Sequence, residues 1–137
     1  MIDCIFCKIA QKEIQSYLIE ESKNFISFLD IKPHSPGHSL VIPKIHFSNL
    51  KELEDNLSFE FIKIIKDTMT KLSKALKTDN FTLGINEGKL AGQAIFHLHF
   101  HIIPRFENDK GGSIHSVVVN KPAESIEEIY QKIKNAS

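Results

Sequence analysis

The sequence predicts an α+β fold, an antiparallel β-sheet with one long helix and short terminal helices. Three observations predict it. Short β-like runs stand on both sides of a single strongly helical stretch, the hydrophobic period changes at Ser58, and the chain closes on a short capped helix. Strands grouped around one helix fit an antiparallel sheet better than a regular alternation of strand and helix. Tyr17-Leu18-Ile19 and Phe25-Ile26-Ser27-Phe28-Leu29, broken at Ser22-Lys23-Asn24, read as a hairpin. Lys32-Pro33-His34-Ser35-Pro36-Gly37 is a turn-rich loop, because Pro presets φ and Gly permits positive φ. Ser39-Leu40-Val41-Ile42 is a third strand. Phe61, Ile65, Met69, Leu72 and Leu76 then fall on one helical stripe, with Ser58 as N-cap, Glu60 in the first turn and an end near Lys77. Phe81–Asn86 and His97–Pro104 are two further strands joined by a loop with Gly88 and Gly92. Ser125-Ile126-Glu127-Glu128 matches a capping box and opens a helix with Ile126, Ile129 and Ile133 facing inward.

Composition narrows the class. At 137 residues the chain is long enough for one domain with a real core, and residues 1–137 are expected to form a single unit. Seventeen basic residues balance seventeen acidic ones and no basic run occurs, which removes the footprint of a general nucleic-acid binder. Ten Phe and 42% hydrophobic residues do not describe a disordered chain. The apolar runs are too short for a membrane span, and Met1 leads straight to Asp3 and Cys4 without a signal-peptide pattern. A cytoplasmic protein is expected.

Two cysteines, Cys4 and Cys7, stand in Cys-Ile-Phe-Cys at the start. A secreted disulfide framework would carry more, and a thioredoxin-type pair would need a preceding strand. A two-residue gap lets two thiolates reach one tetrahedral ion, but two ligands are half a site. A pair of half-buried thiols is the other reading.

The chemistry concentrates in His97-Leu98-His99-Phe100-His101-Ile102-Ile103-Pro104. On a strand the three histidines would share one face and Leu98, Phe100 and Ile102 the other. Neighbouring histidines, about 6.7 Å apart, could share a metal, whereas all three would span about 13 Å on a straight strand. Partly exposed histidines on a solvated face are a second reading. The third is a phosphate site in which one imidazole attacks and its neighbours donate. Asn86-Glu87-Gly88 and Gly92-Gln93 supply amide groups and close backbone approach that suit an anion. Neither a Walker-type loop nor a Gly-x-Ser-x-Gly elbow is present.

His97-Leu98-His99-Phe100-His101-Ile102-Ile103 resembles the signature of the histidine triad family of nucleotide hydrolases and transferases. Cys4-Ile5-Phe6-Cys7-Lys8-Ile9, Phe28-Leu29-Asp30-Ile31, Gly37-His38-Ser39-Leu40-Val41-Ile42-Pro43-Lys44, Asn86-Glu87-Gly88 and Gly92-Gln93 extend the resemblance in order and spacing. It covers about residues 4–106 and leaves 107–137 as a variable tail.

The resemblance implies a fold of that family's type and a covalent nucleotidyl intermediate on the middle histidine, His99. His101, Gln93, the Gly92 backbone and Asn86 would surround the phosphate, with His38 beside phosphate and ribose. Asp30 would bind the ribose hydroxyls, while Ile31 and Phe6 would line the base pocket. The zinc-bearing, Hint-like members imply a structural Zn2+ on Cys4, Cys7, His46 and His97, with no metal in the chemical step. The resemblance also implies a homodimer and a purine nucleotide as ligand. Without it, Asp30 equally reads as a cap of the turn at Lys32-Pro33. Ala94 stands where the phosphoramidase branch usually has a Ser donor, which turns attention to dinucleoside polyphosphates and other nucleotide esters. Arg105 could meet a distal phosphate or remain a solvated charge. The rival functions are a nucleotide-binding sensor with negligible turnover and a zinc hydrolase using His97 and His99 as joint ligands.

Overall fold

The computed structural model describes residues 3–136. A short helix α1 (Ile5–Ala10) precedes strands β1 (Leu18–Glu21), β2 (Phe25–Leu29) and β3 (Ser39–Pro43). The long helix α2 (Ser58–Leu76) leads into β4 (Phe81–Gly84) and β5 (Phe100–Pro104), and α3 (Ile126–Asn135) closes the chain. The strands form one sheet in the order β1-β2-β3-β5-β4, antiparallel throughout. The expected α+β class, hairpin, third strand, long helix and capped last helix are all present. Helices α1 and α3 are the expected short terminal helices, and the structure gives the position of α1 at Ile5–Ala10.

The sheet has a core on each face, which follows from the two-residue alternation of its strands. Phe25, Val41, Leu98 and Ile102 pack with Phe61, Ile64, Ile65 and Leu72 of α2. Ile26, Phe28, Leu40 and Ile42 point the other way and are covered by Cys4, Phe6, Ile9 and Ala10 around α1. The buried stripe of α2 also includes Ile64 and Thr68. Thr68 fits there because its hydroxyl lies 2.7 Å from both the Ser27 hydroxyl and the Ile64 carbonyl. Ser27 in turn accepts from the Glu20 backbone N–H at 3.1 Å.

Four expectations need correction. Ser58 is the first residue of α2 rather than its cap; Leu57 occupies the N-cap position without a side-chain bond. The fourth strand stops at Gly84, short of Asn86. The last strand begins at Phe100, so His97 and His99 are not on it. Its pairing with β3 runs only from Ser39↔Ile102 to Val41↔Phe100. The chain ahead of Phe100 turns away instead, with the Leu98 N–H donating to the Phe47 carbonyl at 2.6 Å. Finally, Ile126 and Ile133 do not face inward: they are 80% and 67% exposed. The Ser125–Glu128 capping box does form. Among the described residues nothing beyond Pro104 is buried.

Arg105 anchors the start of the tail. Its guanidinium donates to Asp109 at 2.7 and 3.1 Å, to Thr82 Oγ1 at 2.9 Å and to the Gly112 carbonyl at 2.6 Å. It is neither a solvated charge nor free for a phosphate.

Candidate active site

Three local devices bring the site residues together on the α1 face. Cys4 caps α1, its Sγ accepting from the Cys7 N–H at 3.4 Å, so both thiols sit on one turn. The β3–β5 register places His101 opposite Leu40, one of the residues covered by α1, and also opposite Gly84. The diverging segment ahead of β5 carries His97 inward, where it is fully buried.

His97 Nε2 lies 2.9 Å from the Pro43 carbonyl, so it carries the proton and donates. Its Nδ1 lone pair then faces Cys4 Sγ at 3.3 Å, Cys7 Sγ at 3.5 Å and His46 Nδ1 at 3.2 Å. Cys7 Sγ is 3.3 Å from His46 Nδ1, and all four donor atoms lie within 4.8 Å of one another. A tetrahedral ion with Zn–S near 2.3 Å and Zn–N near 2.0–2.1 Å needs S···N edges of about 3.5 Å and N···N edges of about 3.3 Å. The donor set fits that ion in both chemistry and spacing.

The neighbouring imidazoles have their tautomers fixed by what they touch. His99 Nδ1 is 2.8 Å from the His97 carbonyl, which can only accept, so the Nδ1 proton is held there and Nε2 keeps its lone pair. His38 Nδ1 accepts from the His34 backbone N–H at 3.1 Å, which places its proton on Nε2. That proton faces His101 Nδ1 at 2.9 Å, leaving the His101 proton on Nε2. Burial first, then neighbouring His99 and His38, push the His101 imidazole down to about 4, so it is neutral near pH 7. Burial likewise lowers His38, although Asp30 opposes it. Asp30 caps the turn, as its place before Lys32-Pro33 suggests, and also reaches toward His38. One carboxylate oxygen accepts from the Lys32 N–H at 2.9 Å, capping the turn, and the other stands 3.6 Å from His38 Nε2.

Other expected site residues stand differently. The Gln93 side chain is spent on the fold, donating to the Ser48 and Ile95 carbonyls and accepting from the Gly88 N–H at 2.9 Å. The Gly92 N–H donates to the Lys89 carbonyl at 3.0 Å, and the positive φ of 95° at Gly92 makes that turn possible. Both therefore shape the loop instead of offering donors to an anion. Phe6 is buried, its ring edge-to-face with His99 at 5.1 Å and with His97 at 5.9 Å, so it braces the imidazoles. Ile31 is 77% exposed, an apolar side chain free to meet a planar base. Asn86 is exposed and shares a cavity wall with His38 and His101. Ala94 is exposed and offers only a methyl group.

His34 was missed. Its ring stands 5.7 Å from that of His38, continuing the row of His99, His101 and His38 toward solvent. The turn residues around it were the only sequence signal.

A face of tautomer-fixed imidazoles on an antiparallel sheet, beside a Cys2His2 donor cluster, defines a narrow class. The HIT domain family matches residues 11–108, and the chain belongs to that family. It is 39% identical over 121 residues to the adenosine 5'-monophosphoramidase HNT1 of Saccharomyces cerevisiae, covering 88% of this chain and 71% of that one. It is 40% identical over 107 residues to the adenylylsulfatase HINT3 of Arabidopsis thaliana, covering 78% of this chain and 54% of that one. The crystal structure of a HIT family member from Bacillus subtilis matches with a TM-score of 0.84 at 32% identity, over 99% of both chains. The HIT-like fold is thereby shown.

Proposed function

We propose that this chain is a nucleotide hydrolase that cleaves purine nucleoside phosphoramidates, dinucleoside polyphosphates or related nucleotide esters at the α-phosphorus. The observation that carries this is the 2.8 Å bond between His99 Nδ1 and the His97 carbonyl, which commits the Nε2 lone pair to attack. In the first step a bond forms between His99 Nε2 and phosphorus, and the bond to the leaving nitrogen or oxygen breaks. The departing atom takes a proton from solvent on the open side, since Ala94 cannot donate. In the second step water attacks phosphorus, loses a proton and releases the nucleoside monophosphate, and His99 recovers its lone pair. His101 Nε2–H, held in place by His38, donates to the phosphoryl oxygens as charge builds on them. Asp30 and Ile31 are the proposed ribose and base contacts. Two relatives named for hydrolysis of adenosine compounds support the substrate class.

Cys4, Cys7, His46 and His97 would hold a Zn2+ ion, which supplies a structural tie between α1 and the segment leading into β5. Four protein donors leave no open position, so the chemistry belongs to the imidazoles. A reducing cytoplasm would keep both thiols available. Among the described residues no helix is long and apolar enough to cross a membrane. A homodimer suits the edge strand β4 and the uncovered Ile126, Tyr130 and Ile133 of α3.

The test is release of AMP from adenosine 5'-phosphoramidate. Wild-type protein should turn it over, and His99→Gly should retain the fold and nucleotide binding with no measurable release. Tight binding without release by the wild type would favour a nucleotide sensor.

A further inference from the structure

The loop between β2 and β3 carries the His34 N–H and leads into His38, and its own hydrogen bonds are local. The Lys32 N–H donates to Asp30 and the Asp30 N–H to the His38 carbonyl, both at 2.9 Å. The His38 N–H donates to the Ser35 carbonyl at 3.0 Å, and the Ser39 hydroxyl to the Gly37 carbonyl at 2.7 Å. These bonds close the loop on itself but do not set its place over the sheet. Ser35 Oγ does, donating to the Pro104 carbonyl at 2.7 Å. Among the described residues this is the one hydrogen bond from residues 31–37 that leaves the stretch 30–39.

The anchor point matters because of where it lies. Pro104 ends β5, the strand that carries His101, and is fully buried. The pairing of β3 with β5 stops at Ser39↔Ile102, so Pro104 stands two residues past the last pair. The Ser35 hydroxyl extends the contact between loop and strand to that point. Gly37 also passes close to the Pro104 ring, but apolar contact has no preferred direction. A hydroxyl bond fixes where the loop stands along the strand.

Two arrangements of the His38–His101 bond are chemically possible. In one, His38 Nε2–H donates and His101 keeps its proton on Nε2; in the other, His101 Nδ1–H donates and its Nε2 carries only a lone pair. The second puts the His38 proton on Nδ1, where it would meet the His34 N–H head to head across 3.1 Å. We propose that Ser35 is a positioning residue of the site: its bond to Pro104 holds the His34 N–H against His38 and so keeps a proton on His101 Nε2. This rests on the proposed hydrolysis at the α-phosphorus, in which that proton meets the phosphoryl oxygens. Ser35 itself touches no reacting atom.

The experiment compares wild type with Ser35→Ala, Ser35→Thr and Thr78→Ala. Thr78 Oγ1 donates to the Arg105 carbonyl at 2.8 Å, the same kind of bond one residue further along, away from the histidine loop. Nitrogen NMR of the free protein should show His101 protonated on Nε2 alone in wild type, Ser35→Thr and Thr78→Ala. In Ser35→Ala it should show both tautomers. With adenosine 5'-phosphoramidate, kcat should fall about tenfold in Ser35→Ala while KM stays within about twofold, because a displaced donor loses transition-state stabilisation. Ser35→Thr should recover most of that loss. Thr78→Ala should keep the wild-type kcat, although both alanine variants lower Tm to a similar extent. A single His101 tautomer in Ser35→Ala, or a wild-type kcat despite mixed tautomers, overturns the proposal. So does a Thr78→Ala variant that matches Ser35→Ala in both readouts, since that is general loosening at the end of β5. If the wild type releases no AMP, the hydrolase reading fails on its own, and the tautomer comparison still decides whether Ser35 sets the proton on His101.

Discussion

His38 Nε2 lies 2.9 Å from His101 Nδ1, and the His34 backbone N–H on the far side of the same ring decides which nitrogen holds the proton. His38, just ahead of β3, and His34, in the loop before it, thus set the direction in which His101 of β5 donates. Replacing His38 with Phe should lower kcat by about 10²-fold, the scale seen when one donor to developing charge is lost. KM for the phosphoramidate should change less. Nitrogen NMR of the imidazoles checks the cause, since His101 in His38→Phe should show mixed tautomers, and an unchanged single tautomer would refute the relay.

Burial holds His101 down to about 4 against an ordinary 6.5, with His99 and His38 adding to it. The unfolded chain therefore binds a proton between about pH 6.5 and 4 that the folded chain refuses. The sign follows: this contribution to stability is complete above pH 6.5 and is lost as pH falls toward 4. Tm should drop through that window, and more steeply for the wild type than for His101→Gln. Parallel curves would contradict the assignment.

Metal content and stability should move together. One Zn2+ per chain is expected by elemental analysis, and Cys4→Ser or chelation should lower Tm by several degrees or more. Residual folded protein should keep its kcat, because no chemical step runs through the ion. Loss of kcat in a sample still folded by circular dichroism would instead favour a metal-dependent hydrolase.

Gly37 has φ of +85°, and a Cβ there would stand 2.3 Å from Leu76 Cδ1 and 3.2 Å from Pro104 Cγ. Leu76 can swing aside, but the left-handed backbone remains. Gly37→Ala should therefore destabilise the protein by about 1–2 kcal/mol in urea unfolding. An unchanged midpoint would mean that the turn before His38 can relax.

Much of the fold was legible because it rests on local pattern. The stripe at steps of three and four marked α2, and short, nearly continuous apolar runs marked β2 and β3. What escaped depended on partners distant in sequence. His97 and His99 read as strand residues by alternation, but β3 pairs only as far as Val41↔Phe100, and Phe47 captures Leu98. Gln93 read as a phosphate donor because its type and position suit one, whereas Gly88, Ser48 and Ile95 use up its amide. The metal donors illustrate the converse. Cys4 and Cys7 announced half a site, and only the family resemblance located His46 and His97, 39 and 90 residues beyond Cys7. The apolar stripe of α3 was visible, but nothing local says whether a stripe is covered.

The central claim is that His99 becomes covalently linked to the nucleotide. Intact-mass measurement of protein mixed with adenosine 5'-phosphoramidate and quenched early tests it most directly. The account predicts a mass increase of one nucleoside monophosphate, mapped to His99 and absent from His99→Gly. AMP release at the wild-type rate with no adduct at any quench time, and release undiminished in His99→Gly, would contradict it.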